Sequence, residues 1–216
     1  FLSYMEHGPG DLTGNHAAYF CMEFGLHQSL PMYSGGLGIL AGDHLKAASD
    51  ARLPLTGIGL YLRDGYFKQY FNEKLLQETG YPSIDITRHP LEPVEDESGN
   101  TLVVTVHCGQ EEVHLRAFKL QVGHVELFLL DSDFNSNQHE DRFLTSRLYQ
   151  GRTKIRLKQE IVLGIGGVRL LRALGRRVDV FHMNEGHCAL LTLELLREAG
   201  YGENEGRVRS NRVLTT

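Results

Sequence analysis

The sequence predicts an α/β fold with a parallel sheet and an antiparallel β insertion. Apolar runs of strand length alternate with segments of helical periodicity over residues 17–62 and again after residue 153. Between these parts, residues 84–131 carry three short apolar or alternating segments separated by turn residues, which is typical of a meander. A chain of 216 residues is long enough for one or two domains with a buried core.

The first part of the chain predicts strands joined by a helix. Residues 17–22 form an apolar run with aromatic side chains, which favours a buried strand. Leucine and alanine side chains recur at helical spacing over residues 37–51, so this segment is predicted to be a helix. A second strand is predicted over residues 55–62, and another over residues 66–71.

The β insertion at 84–131 is predicted to contain three antiparallel strands. Their expected ranges are 101–107, 112–120 and 124–130, where apolar positions alternate or run together. The turn residues beside them are Gly99-Asn100, Gly109-Gln110 and Gly123.

The last third of the chain returns to alternating helices and strands. Helices are predicted over 141–149, 154–174 and about 185–199, and strands over 178–183 and 212–216. The run Gly164-Ile165-Gly166-Gly167 imitates a dinucleotide-binding loop, but the helical spacing of apolar residues continues through it. The prediction is therefore that these glycines lie inside a helix and allow close packing of a neighbouring element.

Composition and charge exclude several classes of protein. The net charge is −5 and no dense cluster of Lys and Arg occurs, so a nucleic-acid partner is not expected. Arg207, Arg209 and Arg212 come closest, but Glu203 and Glu205 precede them, which favours a solvated loop. No apolar run approaches the roughly 20 residues that a membrane-spanning helix needs, so no membrane association is expected.

The cysteines and histidines predict a reduced protein without a bound metal. Cys21, Cys108 and Cys188 are odd in number and far apart, with no C-x-x-C motif, which favours free thiols in a cytoplasmic protein. The eleven histidines show no H-E-x-x-H motif or comparable ligand spacing, so no metal site is expected. The chain opens at Phe1 with neither a signal peptide nor an initiator Met, which predicts that Phe1 is not the native start.

The first candidate site is a glycine-rich loop ahead of the predicted 37–51 helix. It reads Tyr33-Ser34-Gly35-Gly36-Leu37-Gly38. Paired glycines at a helix start let the backbone approach a ligand closely, and the free N–H groups and the helix dipole favour an anion there. The loop is neither a Walker A sequence nor a G-x-G-x-x-G fingerprint, and a simple tight turn is the alternative.

The second candidate site follows the predicted strand at 178–183 and reads His182-Met183-Asn184-Glu185-Gly186-His187. Ligands of open α/β sheets bind at the carboxyl ends of strands, which favours a binding role for these side chains. Asn184 is also a suitable N-cap, with Glu185 in the first helical turn, so a capping role is the alternative. Glu23 directly follows the first strand, where it is either a site residue or an ordinary strand-end residue.

Four stretches of the sequence strongly resemble the α-glucan phosphorylases, especially their shorter bacterial and archaeal branch. Residues 18–46 read AYFCMEFGLHQSLPMYSGGLGILAGDHLK and residues 57–69 read GIGLYLRDGYFKQ. Residues 156–167 read RLKQEIVLGIGG and residues 182–187 read HMNEGH. These motifs span most of the chain in the expected order and are highly specific together, whereas residues 84–131 are the least diagnostic part.

The resemblance implies a GT-B fold, in which two Rossmann-like domains face each other across a cleft. Residues 1–216 would be most of the N-terminal domain, with the cofactor domain absent, and such a fragment is expected to be inactive alone. The family catalyses reversible phosphorolysis of α-1,4-glucan non-reducing ends by inorganic phosphate to give glucose 1-phosphate. Its pyridoxal phosphate is bound to a Lys of the second domain, and no segment here matches that motif. The family is usually dimeric, so a homodimer is expected.

The resemblance also implies roles for particular residues. Gly35, Gly36 and Leu37 match the glycine loop that approaches the substrate phosphate and sugar through backbone N–H groups. Glu23, Glu185 and His187 match residues that line the pocket beside the glucose subsite, and Asn184 precedes the last two. One segment departs from the pattern: Tyr149-Gln150-Gly151-Arg152 stands where shorter members tend to read Tyr-Gly-Gly-Asp.

Two other functions remain as alternatives. A glycogen-synthase-like transferase would use a nucleotide sugar and normally carries a Lys shortly before the glycines, whereas residues 30–34 here read LPMYS. A non-catalytic glucan-binding domain would need an exposed aromatic platform, but the sequence has no Trp and its nine Tyr are scattered. A pyridoxal-phosphate Lys motif beyond residue 216 would decide among these classes.

Overall fold

The computed structural model describes residues 15–81, 85–149 and 153–200, together with the backbone of residues 213–215. In chain order the strands and α-helices are β1 (Ala17–Phe20), α1 (Gly36–Asp50), β2 (Leu55–Leu60), β3 (Lys68–Phe71), β4 (Gln77–Gly80), β5 (Leu91–Pro93), β6 (Val104–Cys108), β7 (Glu111–Val122), β8 (Val125–Asp131), α2 (Thr153–Ile161), α3 (Gly167–Ala173), β9 (Val180–Met183), α4 (Leu191–Ala199) and β10 (Val213–Thr215). The fold is therefore mixed α/β, as the sequence predicts.

Five parallel strands form the centre of the main sheet, in the order β10-β9-β1-β2-β8. The apolar run at the start of the chain becomes the central strand, because β1 is hydrogen-bonded to β2 on one side and to β9 on the other. From β1 the chain adds β2 and then β8 on one side before it crosses to add β9 and β10 on the other. This mostly parallel arrangement is compatible with a Rossmann-like fold.

The β insertion differs from its prediction in two strands, because β5 was not predicted and β8 has a second partner. β7 pairs antiparallel with β5, β6 and β8, so a meander is present as expected. However, β8 also pairs in parallel with β2, from Thr56 opposite Glu126 to Leu60 opposite Leu130, and so belongs to the main sheet. The local pattern of turn and strand identifies the hairpin but cannot reveal a parallel partner more than 60 residues away.

The strand prediction after β2 was incomplete. The segment predicted as a strand over 66–71 is shorter, and β3 pairs only with β4, which the sequence did not indicate. These two strands form a separate hairpin with exposed apolar side chains, among them Phe71 (71% exposed) and Leu75 (80% exposed).

The segment predicted as a helix over residues 141–149 is not an α-helix. Asp141–Phe143 forms one 3-10 turn, and irregular turns follow. The hydroxyl of Thr145 accepts a hydrogen bond from the Ser132 N–H and donates to the Asp131 carboxylate, both at 3.0 Å. These contacts tie the segment to the end of β8 and take the place of helical hydrogen bonds.

The long helix predicted over residues 154–174 is confirmed as one helical run. α2 continues into α3 through a π-helical turn at Val162–Gly166. Its glycines pack as predicted: a Cβ on Gly164 would lie 2.6 Å from the Leu191 backbone nitrogen, and one on Gly167 would lie 2.5 Å from the Phe20 ring. The run therefore crosses the start of α4 and the central strand at very short range.

The prediction of one continuous helix over residues 185–199 was wrong at its start. A 3-10 turn at Gly186–Cys188 precedes α4, and Glu185 has φ 65° and ψ 173°. No right-handed helix includes such a backbone conformation. Among the described residues, no helix is long and apolar enough to cross a bilayer. The three cysteines are free, and Cys21 and Cys188 are buried.

Candidate functional site

The two sequence-predicted sites meet at one edge of the sheet. Glu23 follows the end of β1, and Asn184 and Glu185 follow the end of β9, its parallel neighbour. The chain changes direction across the sheet between these two strands. Such a switch point at the carboxyl edge is where open α/β sheets bind their ligands, because the loops diverge there and leave a crevice.

The glycine loop presents the start of α1 to solvent. Gly35 is the residue before the helix and Gly36 is its first residue, and both are exposed. No side chain caps the helix and no acidic residue lies in its first turn. The nearby anion is the buried Glu23 carboxylate, one oxygen of which would lie 3.1 Å from a Cβ on Gly38. A Cβ on either glycine would meet no atom within 4 Å. Leu37 is half-buried and packs against the core.

The two glycines are not required by backbone strain. Neither has a positive φ, and Gly35 is in an extended conformation. The chain itself would therefore accommodate a side chain at Gly36. A requirement for glycine there would come from a ligand that lies against the helix start.

Glu23 lies beneath this loop and not in the open crevice. Its side chain is buried, with 1% of the residue exposed. One carboxylate oxygen accepts hydrogen bonds from the Ser34 N–H at 2.7 Å and the Ser34 hydroxyl at 3.3 Å. The other accepts one from the Tyr149 hydroxyl at 2.6 Å. Glu23 thus holds the residue that immediately precedes Gly35.

Glu185 is the exposed carboxylate of the site, and its backbone is strained. The φ of 65° with ψ of 173° lies in a region that only glycine enters readily, at a cost of about 1–3 kcal/mol for other residues. The turn places Glu185 between the end of β9 and the 3-10 turn that carries His187. Strain of this kind persists where the surrounding structure enforces it, and it gathers at functional sites.

His187 is buried and neutral. The Met22 N–H donates a hydrogen bond of 3.0 Å to His187 Nε2, so the ring proton resides on Nδ1. Burial, with a smaller effect from the positive charge of Arg156, lowers the pKa of His187 to about 4. The contact joins the exit of β1 to the 3-10 turn after β9 and leaves Nδ1–H as the donor of the ring.

Asn184 is a cross-link between strands and not the N-cap that the sequence suggested. Its side-chain amide donates to the Tyr19 hydroxyl at 2.6 Å, and its backbone N–H donates to the Phe20 carbonyl at 3.0 Å. Only 2% of Asn184 is exposed. The residue before the 3-10 turn is Glu185, which makes no capping hydrogen bond.

Sequence reasoning missed Ser34 and Tyr149 as functional candidates. Ser34 appeared only as a member of the glycine loop, and Tyr149 only as the start of a segment that departs from the family pattern. Residues 150–152 of that segment lie outside the described residues. No local signal marks either hydroxyl as a partner of Glu23, because the contact joins segments 126 residues apart in the chain.

A cleft of about 620 Å³ lies at the opposite, amino edge of the sheet. Arg52, Arg176 and Arg177 line it, beyond the carboxyl ends of α1 and α3. Cations are favourable at helix carboxyl ends, and Arg176 is also paired with Glu126. Charge compensation therefore accounts for this cluster, and the functional candidates of the sequence lie elsewhere.

The described side chains form neither a metal site nor a lysine attachment site for a cofactor at the switch point. Within the described ranges, no three His, Cys, Asp or Glu side chains are grouped as metal ligands. The six lysines do not fit an attachment site for pyridoxal phosphate at the switch point: Lys158 is buried in ion pairs with Asp141 and Glu111, Lys119 is paired with Glu92, and the other four are exposed elsewhere.

The chain thus has an open, mostly parallel α/β sheet with polar side chains gathered at its switch point, the place where such sheets bind ligands. No family model matches the chain. Over 92% of its length, the chain is 47% identical to a glycogen phosphorylase of Mycobacterium tuberculosis, of which it covers 24%. It is 47% identical over 82% of its length to a maltodextrin phosphorylase of Thermococcus litoralis, covering 21% of that protein. A glycogen phosphorylase of Aquifex aeolicus is 39% identical over 79% of the chain, which covers 25% of it.

The chain belongs to the family of glycogen and maltodextrin phosphorylases. Identity of 47% over nearly the whole chain also agrees with the motifs that carry the resemblance. The chain spans about a quarter of the length of the curated relatives it matches.

Proposed function

We propose that the complete protein is an α-glucan phosphorylase that cleaves non-reducing ends of α-1,4-glucans with inorganic phosphate and releases glucose 1-phosphate. The observation that carries this proposal is the 47% identity to proteins named glycogen phosphorylase and maltodextrin phosphorylase. The chain would form most of the first of two Rossmann-like domains in a GT-B fold. A homodimer in the cytoplasm and pyridoxal phosphate on a lysine outside this chain complete the proposal.

The reaction requires groups that hold an anion beside a sugar carbon. A phosphate oxygen forms a bond to the anomeric carbon while the glycosidic bond breaks, and the departing glucan oxygen takes up a proton. The N–H groups of Gly35, Gly36 and Leu37 supply uncharged donors at a positive helix end. They would attract phosphate, and the absence of Cβ atoms at the two glycines lets the ligand approach.

The remaining site residues divide into two groups. Glu185 is exposed at the switch point and suits hydrogen bonds to hydroxyls of the glucosyl unit. His187 is buried, but its neutral ring keeps Nδ1–H as a donor for the same purpose. Glu23 and Asn184 are buried and have their polar atoms engaged by protein groups. We therefore assign ligand contact to the first pair and support of the loops to the second.

The complete protein should release glucose 1-phosphate from maltooligosaccharides and inorganic phosphate. The same assay with a nucleotide sugar as donor tests the glycogen-synthase-like alternative. Chain elongation from the nucleotide sugar without phosphorolysis would contradict the proposal. Glucan binding without either reaction would instead indicate a glucan-binding protein.

Variants of Gly36 test whether the helix start contacts the ligand. Because the chain leaves open space at this position, Gly36→Ala and Gly36→Val should both fold. Phosphorolysis should fall with side-chain size, by about tenfold or more in kcat/KM for Val. Circular dichroism monitors folding, and normal phosphate kinetics in the Val variant would show that the loop does not contact the ligand.

A further inference from the structure

Tyr149 contacts the candidate site although neither sequence motif contains it. Its hydroxyl lies 2.6 Å from a carboxylate oxygen of Glu23, within the usual range for an O–H donor on a charged acceptor. The residue lies at the end of the irregular segment that follows the Asp141–Phe143 turn. It therefore reaches the exit of β1 from a separate part of the chain.

The hydroxyl of Tyr149 is one of three hydrogen-bond donors to the buried Glu23 carboxylate. A buried carboxylate is costly unless hydrogen bonds or a cation compensate it. Among the described residues no Lys or Arg forms an ion pair with Glu23, and its hydrogen-bond donors are the N–H and hydroxyl of Ser34 and the hydroxyl of Tyr149. Donors from two separate segments of the chain therefore stabilise the buried Glu23 carboxylate.

The backbone at Tyr149 is held in an unfavourable conformation that brings its ring to Glu23. Its φ is +56°, which is an outlier for a bulky residue. The preceding segment is fixed by Gln159, whose side-chain amide donates to the carbonyls of Leu144 at 2.7 Å and Arg147 at 2.9 Å. The guanidinium of Arg156 lies over the Tyr149 ring, 5.3 Å from its centre.

We propose that Tyr149 is a positioning residue of the phosphorylase reaction. Its hydroxyl fixes the Glu23 carboxylate, Glu23 fixes Ser34, and Ser34 precedes the glycine pair that begins α1. The functional consequence rests on the proposed function, whereas the structural coupling does not. Tyr149 supplies a donor and not an acid or base, since burial first and the hydrogen bond to Glu23 second raise its pKa to about 12.

The test removes only the hydroxyl, in the complete protein. Tyr149→Phe keeps the ring and its contact with Arg156 but leaves one oxygen of Glu23 without a donor. Amide hydrogen exchange at Ser34 should become roughly tenfold faster, and kcat/KM for inorganic phosphate should fall roughly tenfold, because an unsatisfied buried acceptor loosens the loop. Tyr70→Phe makes the same chemical change on β3, outside the site, and should alter neither quantity.

A double-mutant cycle distinguishes positioning from direct ligand contact. Glu23→Gln should lower kcat/KM for phosphate by a similar factor. The Tyr149→Phe/Glu23→Gln variant should lose less activity than the product of the two single losses, since either change removes the contact between these two side chains. Melting temperatures measured alongside should stay within a few degrees, which separates the kinetic effect from loss of fold.

Three outcomes of these experiments test the positioning role of Tyr149. Unchanged Ser34 exchange in Tyr149→Phe would overturn the proposal, whatever the activity. Multiplying losses in the double variant would also overturn it, because they would give Tyr149 a contact of its own with the ligand. Faster exchange in a protein without phosphorolysis would support the positioning contact and count against the proposed function alone.

Discussion

At the scale of single residues, Glu185 shows how this site combines exposure with strain. Its side chain is exposed at the switch point, while its backbone occupies a region that favours glycine. A glycine at this position would relieve the backbone strain, but it would also remove the carboxylate. The strain is therefore an independent sign, beside the position of Glu185 after β9, that the side chain serves a purpose other than folding.

Replacement of Glu185 should separate strain from side-chain function. Glu185→Gly should be more stable than Glu185→Ala by about 1 kcal/mol, because glycine adopts this conformation without strain, although it gains more freedom in the unfolded chain. Urea unfolding of both variants measures the difference. Both variants should also lose phosphorolysis in the complete protein.

Glu160 provides a control position, at which the stability difference between the glycine and alanine variants should have the opposite sign. It lies within α2, where glycine should be less stable than alanine by about 1 kcal/mol. If alanine is the more stable replacement at both positions, the conformation of Glu185 is not strained.

At the scale of elements, the run from α2 through the π-turn to α3 is shaped by its glycines. Gly164 meets the backbone of Leu190 and Leu191, whereas Gly166 meets the end of the Leu115 side chain. A backbone neighbour cannot move without moving the start of α4, but a leucine methyl group can rotate away. The two glycines therefore differ in what a side chain would cost.

Gly164→Ala should destabilise the protein by roughly 2 kcal/mol, even though alanine is the better helix former. Gly166→Ala should cost less than half as much. Urea unfolding curves of the two variants provide the comparison. Equal stability of Gly164→Ala and the wild type would show that α4 is not packed this closely.

At the scale of the whole molecule, stability should depend on histidines that fold in their neutral form. Burial lowers the pKa values of His44, His182 and His187, and the charge of His44 lowers that of His182 further. Their rings lie around β1, where His187 is buried and the half-buried His44 and His182 both contact Tyr19. Protonation must therefore oppose folding.

The direction of this pH dependence follows from which state, folded or unfolded, binds the protons more tightly. A histidine with a depressed pKa in the folded state binds a proton more tightly when unfolded, so stability is full above the unfolded pKa and declines as pH falls below it. For His187 the window runs from 6.5 down to about 4. Its contribution alone should lower the free energy of unfolding by about 2 kcal/mol between pH 7 and pH 5.

Urea unfolding at a series of pH values measures this decline. His187→Gln keeps a polar side chain for the Met22 N–H but cannot be protonated, so it should flatten the curve between pH 7 and pH 5. Carboxylates lose their contribution to stability at lower pH. For Glu194, burial raises the pKa, but its ion pairs with Arg197 and Arg169 outweigh that effect and lower the pKa to about 2. An unchanged slope in the Gln variant would assign the decline to other groups.

The α/β class, the family and most elements of regular structure could be predicted from the sequence. These features depend on local periodicity and on motifs, so α1, β1, β2 and the long helical run appear close to their predicted ranges. The sequence also selected Gly35, Gly36, Glu185 and His187 by motif, and the glycines at 164–167 as packing residues.

Which segments contact each other could not be predicted in this way and follows from tertiary packing. The parallel pairing of β8 with β2, the irregular course of residues 141–149 and the strained turn at Glu185 depend on contacts between distant parts of the chain. The same holds for Glu23 and Tyr149, since a carboxylate at a strand end becomes a loop support only when two other segments bring donors to it. Local pattern specifies elements, but hydrogen bonds between elements are formed by packing, which no local pattern encodes.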